Sequence, residues 1–378
     1  MPSSGGAPRG SVIVHVFGKT DVGRTREHNE DAFVIADLTA DDASLKPSVR
    51  THTAGERGTL FMVADGMGGA AAGEIASEMA TSIVLRELRR AWLAHPDPTG
   101  ESFAQAIRHA AAVANSEINT FATMHAEFRG MGTTATIAGL LGDTLYLAQV
   151  GDSRAYLVRD GVARQITKDQ SLMQKLVEAG EITEEEAEHS ERRNIILQAL
   201  GPEATVKVDL THQKLRRGDT LVLCSDGLSG QVSRDEIAGV VREERDLAAV
   251  CRRLIDMANS AGGPDNITVI AARFDGAGLE SAAAGDEVGH RVFPLPDSAT
   301  TPTRGSEPVA EDEDGRRITT PVHAVRVEAL PQPAIAAPVV SEERRARGLA
   351  IQRILLVTLV VAAGAAAVWW IARLMRRS

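Results

Sequence analysis

Cysteine is almost absent, with Cys224 and Cys251 the only two in 378 residues. Two thiols supply no disulfide framework, and their scarcity fits a reducing cytosol. They also lack the setting of a cysteine phosphatase. That chemistry needs an arginine six positions after the nucleophile, where this chain has Gly230 and Met257. Both therefore read as small buried residues. A basic excess is missing as well. The formal net charge is −10, so no nucleic-acid footprint is expected. The opening MPSSGGAPRG lacks the apolar segment of a secretory signal. Aromatic residues make up only 3%, yet 43% of the chain is hydrophobic, enough for a real core.

What is present is organised around residues 59–69, TLFMVADGMGG. Leu60 to Ala64 run into Asp65 and then into glycines, the pattern of a buried strand closed by a turn. At the strand's end a carboxylate can leave the core without losing its solvation. Gly66, Gly68 and Gly69 permit a sharp turn and leave a carbonyl open to a ligand. From Gly73 an amphipathic helix is predicted. Such a sequence of elements suits a metal or a phosphate. Two motif readings fail on spacing. Residues 66–71 match G-x-G-x-x-A, but the acid required about 20 residues on falls at Glu87, inside a predicted helix. Gly18-Lys19-Thr20 resembles the end of a phosphate-binding loop, yet Ile13 stands where its first glycine is needed. The bland alternative, a purely structural glycine turn, is opposed by the other acids of the chain.

Strands are predicted at 12–16, 32–37, 130–138, 144–152, 153–161, 205–210, 220–225 and 267–274, with Asp160-Gly161 as a hairpin turn. Helices are predicted at 74–93, 103–125, 234–242 and 246–261. Residues 38–58 read as a surface loop, and 170–200 as a helical, acidic flap that interrupts the β series. From 275 to about 350 the chain turns rich in Ala, Pro and acids, the composition of a disordered linker. Residues 354–372 carry no charge over 19 positions. A transmembrane helix is therefore expected over 351–373, with Trp369 and Trp370 at the interface and arginines on both flanks. A basic tail, 374–378, follows. Residues 1–11 are expected to be a flexible N-terminus and 12–274 the catalytic domain, on the cytosolic side of a C-terminal anchor.

Acids recur at strand ends or turns: Glu30 and Asp31, Asp65, Asp226, Asp265. Carboxylates are almost never buried unpaired. Converging on one sheet edge, they would repel unless divalent cations neutralised them. Oxygen donors without Cys or His favour hard ions, Mg²⁺ or Mn²⁺. Two such ions activate an oxygen nucleophile, and Arg26 adds a planar fork for phosphate oxygens. The set suits hydrolysis of a phosphate monoester.

The motifs GRTREHNED, VADGMGG, GMGTTA, VGDSRAYLVRDG, TKDQSL, RRNIILQALG, LCSDGL and GGPDNITVI occur in order across residues 12–274. With them the chain resembles the bacterial PPM-type (metal-dependent, type 2C) serine/threonine protein phosphatases. The resemblance implies an α+β fold in four layers, αββα, a central antiparallel β-sandwich flanked by helices. It implies two Mn²⁺ or Mg²⁺ ions and a monomer that acts on Ser/Thr-phosphorylated proteins, kinases included, through a metal-bridging hydroxide. By the same resemblance Asp65 and the Gly66 carbonyl bridge the ions. Asp226 and Asp265 complete the first ion and Glu30 the second. Asp31 orients or deprotonates the water, and Arg26 holds the phosphate. Asp152 and Asn266 are expected to support the site, with a structural turn the alternative for Asp152, and Thr133 and Thr134 to pack near it. Met67 stands where eukaryotic members have a histidine, which leaves the general acid open between His28 and His52. Gln170 stands where many relatives carry histidine. Glu127 is the nearest match to a third-ion acid. A catalytically silent phosphoprotein-binding module is the rival from another class, and degenerate members of that kind lose metal acids that this chain keeps.

Overall fold

Between residues 10 and 295 the chain forms two antiparallel sheets packed face to face. The computed structural model describes residues 10–39 and 51–295, apart from 189, 191, 193 and 284. The start of the chain, most of the expected linker, the helix expected at 351–373 and the tail at 374–378 lie outside the described residues. In chain order the strands are β1 (Ile13–Asp21), β2 (Asp31–Asp37), β3 (Thr51–Thr53), β4 (Thr59–Met67), β5 (Gly132–Thr133) and β6 (Ala135–Leu141). Then come β7 (Thr144–Val150), β8 (Arg154–Arg159), β9 (Val162–Gln165), β10 (Asp209–Lys214), β11 (Thr220–Cys224) and β12 (Ile267–Asp275). One sheet is ordered β3-β1-β12-β11-β8-β9. The other is ordered β10-β7-β6-β4-β2, and β5 pairs with the end of β4.

Both faces of each sheet are covered, which is why the central strands read as continuous apolar runs. Along β4, Phe61 and Val63 point between the sheets, where Leu223, Ile270 and Phe274 meet them. The alternate residues Leu60, Met62 and Ala64 join the layer of α1 (Ala70–Glu87) and α2 (Gly100–Met124). On the opposite side Val222, Val269 and Ala271 pack under α6 (Arg234–Glu243) and α7 (Leu247–Ser260). The four-layer αββα architecture is thus present.

Turn and cap chemistry fixes several boundaries. Asp160 and Gly161 have φ of 50° and 78°, the paired positive values of a tight hairpin turn. Helix α2 begins three residues before its expected start, because Thr99 and Ser102 form a reciprocal cap. Helix α1 likewise starts at Ala70 rather than Gly73. Gly68 and Gly69, at φ 118° and 91°, turn the chain directly into it, and Ala70 to Ala72 favour helix without any apolar periodicity to reveal them.

Three expectations need correction. The loop at 38–58 contains β3, a short strand paired to β1; its polar sequence gives no apolar signal. The strand expected at 205–210 lies at Asp209–Lys214 instead. Val206 and Val208 dock against the core by their side chains, but ladder pairing with β7 begins only at Asp209. The fold also continues past 274. Leu279 is buried, Arg216 holds Asp286 at 2.6 and 2.9 Å, and the amide of Phe293 donates to the Leu210 carbonyl. Residues 287–293 therefore cover the outer edge of β10, an edge strand that would otherwise offer unpaired backbone groups.

Phe61 is fully buried and meets Phe274 edge-on at 6.2 Å. Phe61→Ala should cost about 3–5 kcal/mol, read as a lower denaturant midpoint. A change below about 1 kcal/mol would mean that the inter-sheet layer does not hold the sandwich together.

Candidate active site

The acids singled out in the sequence come together at one edge of the sandwich. β2 and β4 are antiparallel with Asp31 directly opposite Asp65. From the other sheet, β11 ends at Cys224 and Asp226 opens the short helix α5 (Asp226–Ser229). Asp265 stands two residues before β12. Strand ends from both sheets thus meet, close enough for the charge of Asp226 to raise the proton affinity of Asp65.

Backbone contacts leave little freedom here. The amide of Glu30 donates to Asn266 Oδ1 at 2.8 Å, and the Glu30 carbonyl accepts from the Gly66 amide at 3.1 Å. Asn266 Nδ2 donates to the carbonyls of Val22 and His28, both at 2.9 Å. One asparagine so binds the loop carrying Arg26 and Glu30 to the start of β12. Thr133 and Thr134 do more than pack. Thr134 Oγ1 accepts from the Asp65 amide at 3.0 Å, and Thr133 Oγ1 donates to the Asp65 carbonyl at 2.9 Å. Gly73 in α1 faces the Glu30 carboxylate so closely that a side chain there would strike it.

The charges are crowded. Arg26 Nη2 donates to Asp265 Oδ2 at 2.8 Å, with the guanidinium half exposed. Asp31 Oδ2 accepts from Thr268 Oγ1 at 2.6 Å and Ser225 Oγ at 2.7 Å, while its Oδ1 is buried without a partner. Burial pushes the Asp31 carboxyl up to about 7, against those two hydrogen bonds and helped by the charge of Asp226. Burial, with repulsion from Asp31 and Asp226, raises Asp65 well above the usual carboxylate range. Asp226 and Glu30 are raised by burial too. Asp152 belongs to the same group: buried, with Oδ1 unpartnered, and pushed up to about 7 by burial and by Asp226.

Buried carboxylates that raise one another's proton affinity need a cation or protons, and two orphaned oxygens point to a cation. The donors are all oxygen, which selects hard ions. As they stand, no three His, Cys, Asp or Glu side chains among the described residues close a coordination shell.

Other candidates separate clearly. His28 is exposed beside the site, its charge felt by Glu30. His52 is not there: it pairs with Val14, and its Nε2 contacts Thr59 Oγ1 at 2.8 Å, at the opposite end of β4 from Asp65. Glu127 is exposed on a 3-10 turn, Ala126–Phe128. Gln170 serves as an internal strut. Its Oε1 accepts from the Gly151 amide and its Nε2 donates to Asp209 Oδ2 at 2.8 Å, which fastens the start of the 170–200 insertion. Cys224 and Cys251 are buried, and burial raises both thiols to about 12, which leaves no thiolate nucleophile. Sequence reasoning missed Ser225, Thr268 and Gly73. The available signal was a hydroxyl next to each acid or strand start in otherwise apolar runs, CSDG and DNIT.

A sandwich with this carboxylate edge and an arginine beside it defines a metal-dependent phosphatase. A profile described as Protein phosphatase 2C matches residues 35–272. The serine/threonine phosphatase stp of Listeria monocytogenes is 38% identical over 263 residues, covering 69% of this chain and 96% of that protein. A crystal structure of the Mycobacterium tuberculosis serine/threonine phosphatase PstP/Ppp aligns with TM-score 0.57 at 36% identity, over 71% of this chain and 99% of that one. A structure of the PstP catalytic domain in complex with two manganese ions aligns with TM-score 0.56 at 35% identity, over 70% of this chain and 99% of that one. The chain belongs to the protein phosphatase 2C family.

In chelator the folded chain keeps the Asp31 proton up to about pH 7, whereas an unfolded carboxyl releases it near 3.8. The stabilisation from that proton is therefore complete below pH 3.8 and lost as pH climbs through about 7. Asp31→Asn should flatten this part of the thermal-unfolding profile. Superimposable profiles for the two proteins would clear Asp31 as its source.

Proposed function

We propose that this chain is a metal-dependent protein-serine/threonine phosphatase, tethered to the cytoplasmic membrane with its catalytic domain in the cytosol. The observation that supports the chemistry is the Arg26–Asp265 contact of 2.8 Å beside mutually repelling carboxylates. Asp65, the Gly66 carbonyl, Asp226, Asp265 and Glu30 would together hold two ions. Bound there, Mn²⁺ or Mg²⁺ supplies Lewis acidity and positive charge to the reacting phosphate.

The chain's own residues do the rest. Arg26, half exposed, offers its planar fork to two phosphate oxygens and so orients the ester. Asp31 has one oxygen fixed by Thr268 and Ser225 and the other free. With a proton affinity near neutrality, its Oδ1 is suited to hold a proton taken from the attacking water. Thr133 and Thr134 keep Asp65 in place, and Asn266 keeps the arginine loop against the acids. His28 stays the candidate for protonating the leaving oxygen, because it lies beside Glu30. Two ions suffice for this donor set, and Glu127, exposed on its turn, gives no reason for a third. The substrates are proteins phosphorylated on serine or threonine, Ser/Thr kinases among them, and the chain acts as a monomer. A silent binding module would have no use for a complete set of ion-holding acids.

The tether rests on residues 351–373, long and apolar enough to span a bilayer by sequence. Among the described residues no helix is long and apolar enough to cross a membrane. A tether would raise the local concentration of enzyme near membrane-bound phosphoproteins.

Asp65→Asn should abolish Mn²⁺-dependent phosphate release from a phosphoserine peptide, while Arg26→Ala should chiefly raise KM. Full activity in Asp65→Asn would refute its part in holding the ions. Removal of residues 345–378 should move the protein from the membrane to the soluble fraction with catalysis intact. Continued membrane association would assign the anchor elsewhere.

A further inference from the structure

The far end of the β3-β1-β12-β11-β8-β9 sheet carries the opposite charge from the active site. Strand β11 starts there at Thr220 and ends at Cys224, two residues before Asp226. On the order of 13 Å of strand thus separates the two ends. An open cleft of about 480 Å³ lies between the β8–β9 turn, the beginning of β11 and the end of α6. It is lined by arginines in a chain whose net charge is −10.

One of these arginines is neutralised. Arg159 and Asp219 form a buried two-point pair at 2.9 and 2.6 Å. The carboxylate of Glu244 is turned to Arg253, at 3.4 Å. The Arg217 guanidinium donates to the Leu279 carbonyl at 3.0 Å. With Arg242, Arg245 and Arg273 it makes four guanidiniums that enter no ion pair among the described residues. Asp160 and Glu244 remain to set against them, since Glu243 holds Arg253 more closely, at 2.8 Å, so five arginines face three acids and the cleft holds an excess of two positive charges.

Arg273 is fixed in place. It donates to the carbonyls of Arg245 at 2.9 Å and Glu244 at 3.3 Å, and to Thr220 Oγ1 at 3.3 Å. Burial and the neighbouring Arg245 charge lower its hold on its own proton. Arg242 lies along the turn where Gly161 has no side chain, with its Nη1 3.9 Å from where a Cβ would stand. Like charges held together by backbone carbonyls cost energy unless an anion joins them. A multiply charged anion meets this excess, and a diphosphate can spread its paired oxygens over separate planar guanidinium forks where a single phosphate reaches fewer of them.

We propose that this cleft binds a compact polyanion with a pyrophosphate-type group, free or carried on a nucleotide. The site is separate from the catalytic edge and does not depend on the catalytic reading.

The test is calorimetric titration of the full chain in chelator, first with inorganic pyrophosphate and then with ADP. Both should bind, more weakly as salt rises. Tighter binding of ADP would identify a nucleotide as the source, and equal binding the free anion. The Arg242→Ala/Arg245→Ala pair should weaken pyrophosphate binding about tenfold or more, while Arg26→Ala leaves it unchanged. Phosphopeptide hydrolysis by the double variant reports that it is folded. If it is not, Arg245→Ala alone should still weaken binding severalfold. The proposal is overturned if wild type does not bind pyrophosphate at millimolar concentration, if the alanine variants bind like wild type, or if Arg26→Ala abolishes binding.

Discussion

Carboxylates pressed together at the end of a β-sandwich repel one another, and the fold is arranged to hold them there regardless. Asp31 and Asp65 are opposed across one ladder, while Asp226 and Asp265 arrive from the other sheet. Nothing in their mutual interaction favours this meeting. What enforces it is the inter-sheet layer of Phe61, Val63, Leu223, Ile270 and Phe274, which sets one sheet against the other. Burying such side chains yields on the order of 1.5–3 kcal/mol each, so several can override the repulsion of a few acids. The site is therefore a place where the core's stability is converted into unfavourable charge density, relieved by bound protons or by a cation.

Hydroxyls and amides make that charge density usable. Ser225 and Thr268 both donate to Asp31 Oδ2, and Thr268 Oγ1 also meets Thr20 Oγ1 at 2.8 Å. A chain of hydroxyls thus fixes one oxygen of Asp31 and leaves the other bare. Asn266 does similar service for the backbone, because its single side chain joins Glu30, Val22 and His28. Through it the position of the Arg26 loop is referred to β12, one of the most deeply buried strands.

Much of this was legible in the residues themselves. A strand buried on both faces must be apolar at every position, and TLFMVADG and TLVLCSDG both read that way up to their acids. The order of those motifs carried the family and, with it, the layers. Convergence was not legible, since no periodicity relates Asp65 to Asp226 across 161 positions. Polar strands such as β3 leave no apolar trace. Residues 276–295 have too little hydrophobic pattern to announce that they pack, and they are held by Arg216–Asp286 and by Phe293 against Tyr146 and His212. His52 and His28 look alike in sequence, and only the register of β3 on β1 removes the first from the active site.

The charge layout of one sheet follows from the same geometry. β11 leads from Asp219 and Thr220 to Cys224 and on to Asp226, so its two ends differ in sign of surroundings. At one end Asp226 adds to a negative cluster, and at the other Asp219 is cancelled by Arg159 within a basic cleft. Acids can be concentrated at an edge only where strands start or stop and the backbone turns away, as Gly66 and Gly227 allow. Neither could bear a side chain, for a Cβ would meet the Glu30 carbonyl or that of Asn266. The arginines gather at the start of β11, the ends of β8 and β12 and the end of α6, the helix terminus that favours positive charge. An overall acidic chain thus keeps a basic region at the end of β11 away from Asp226.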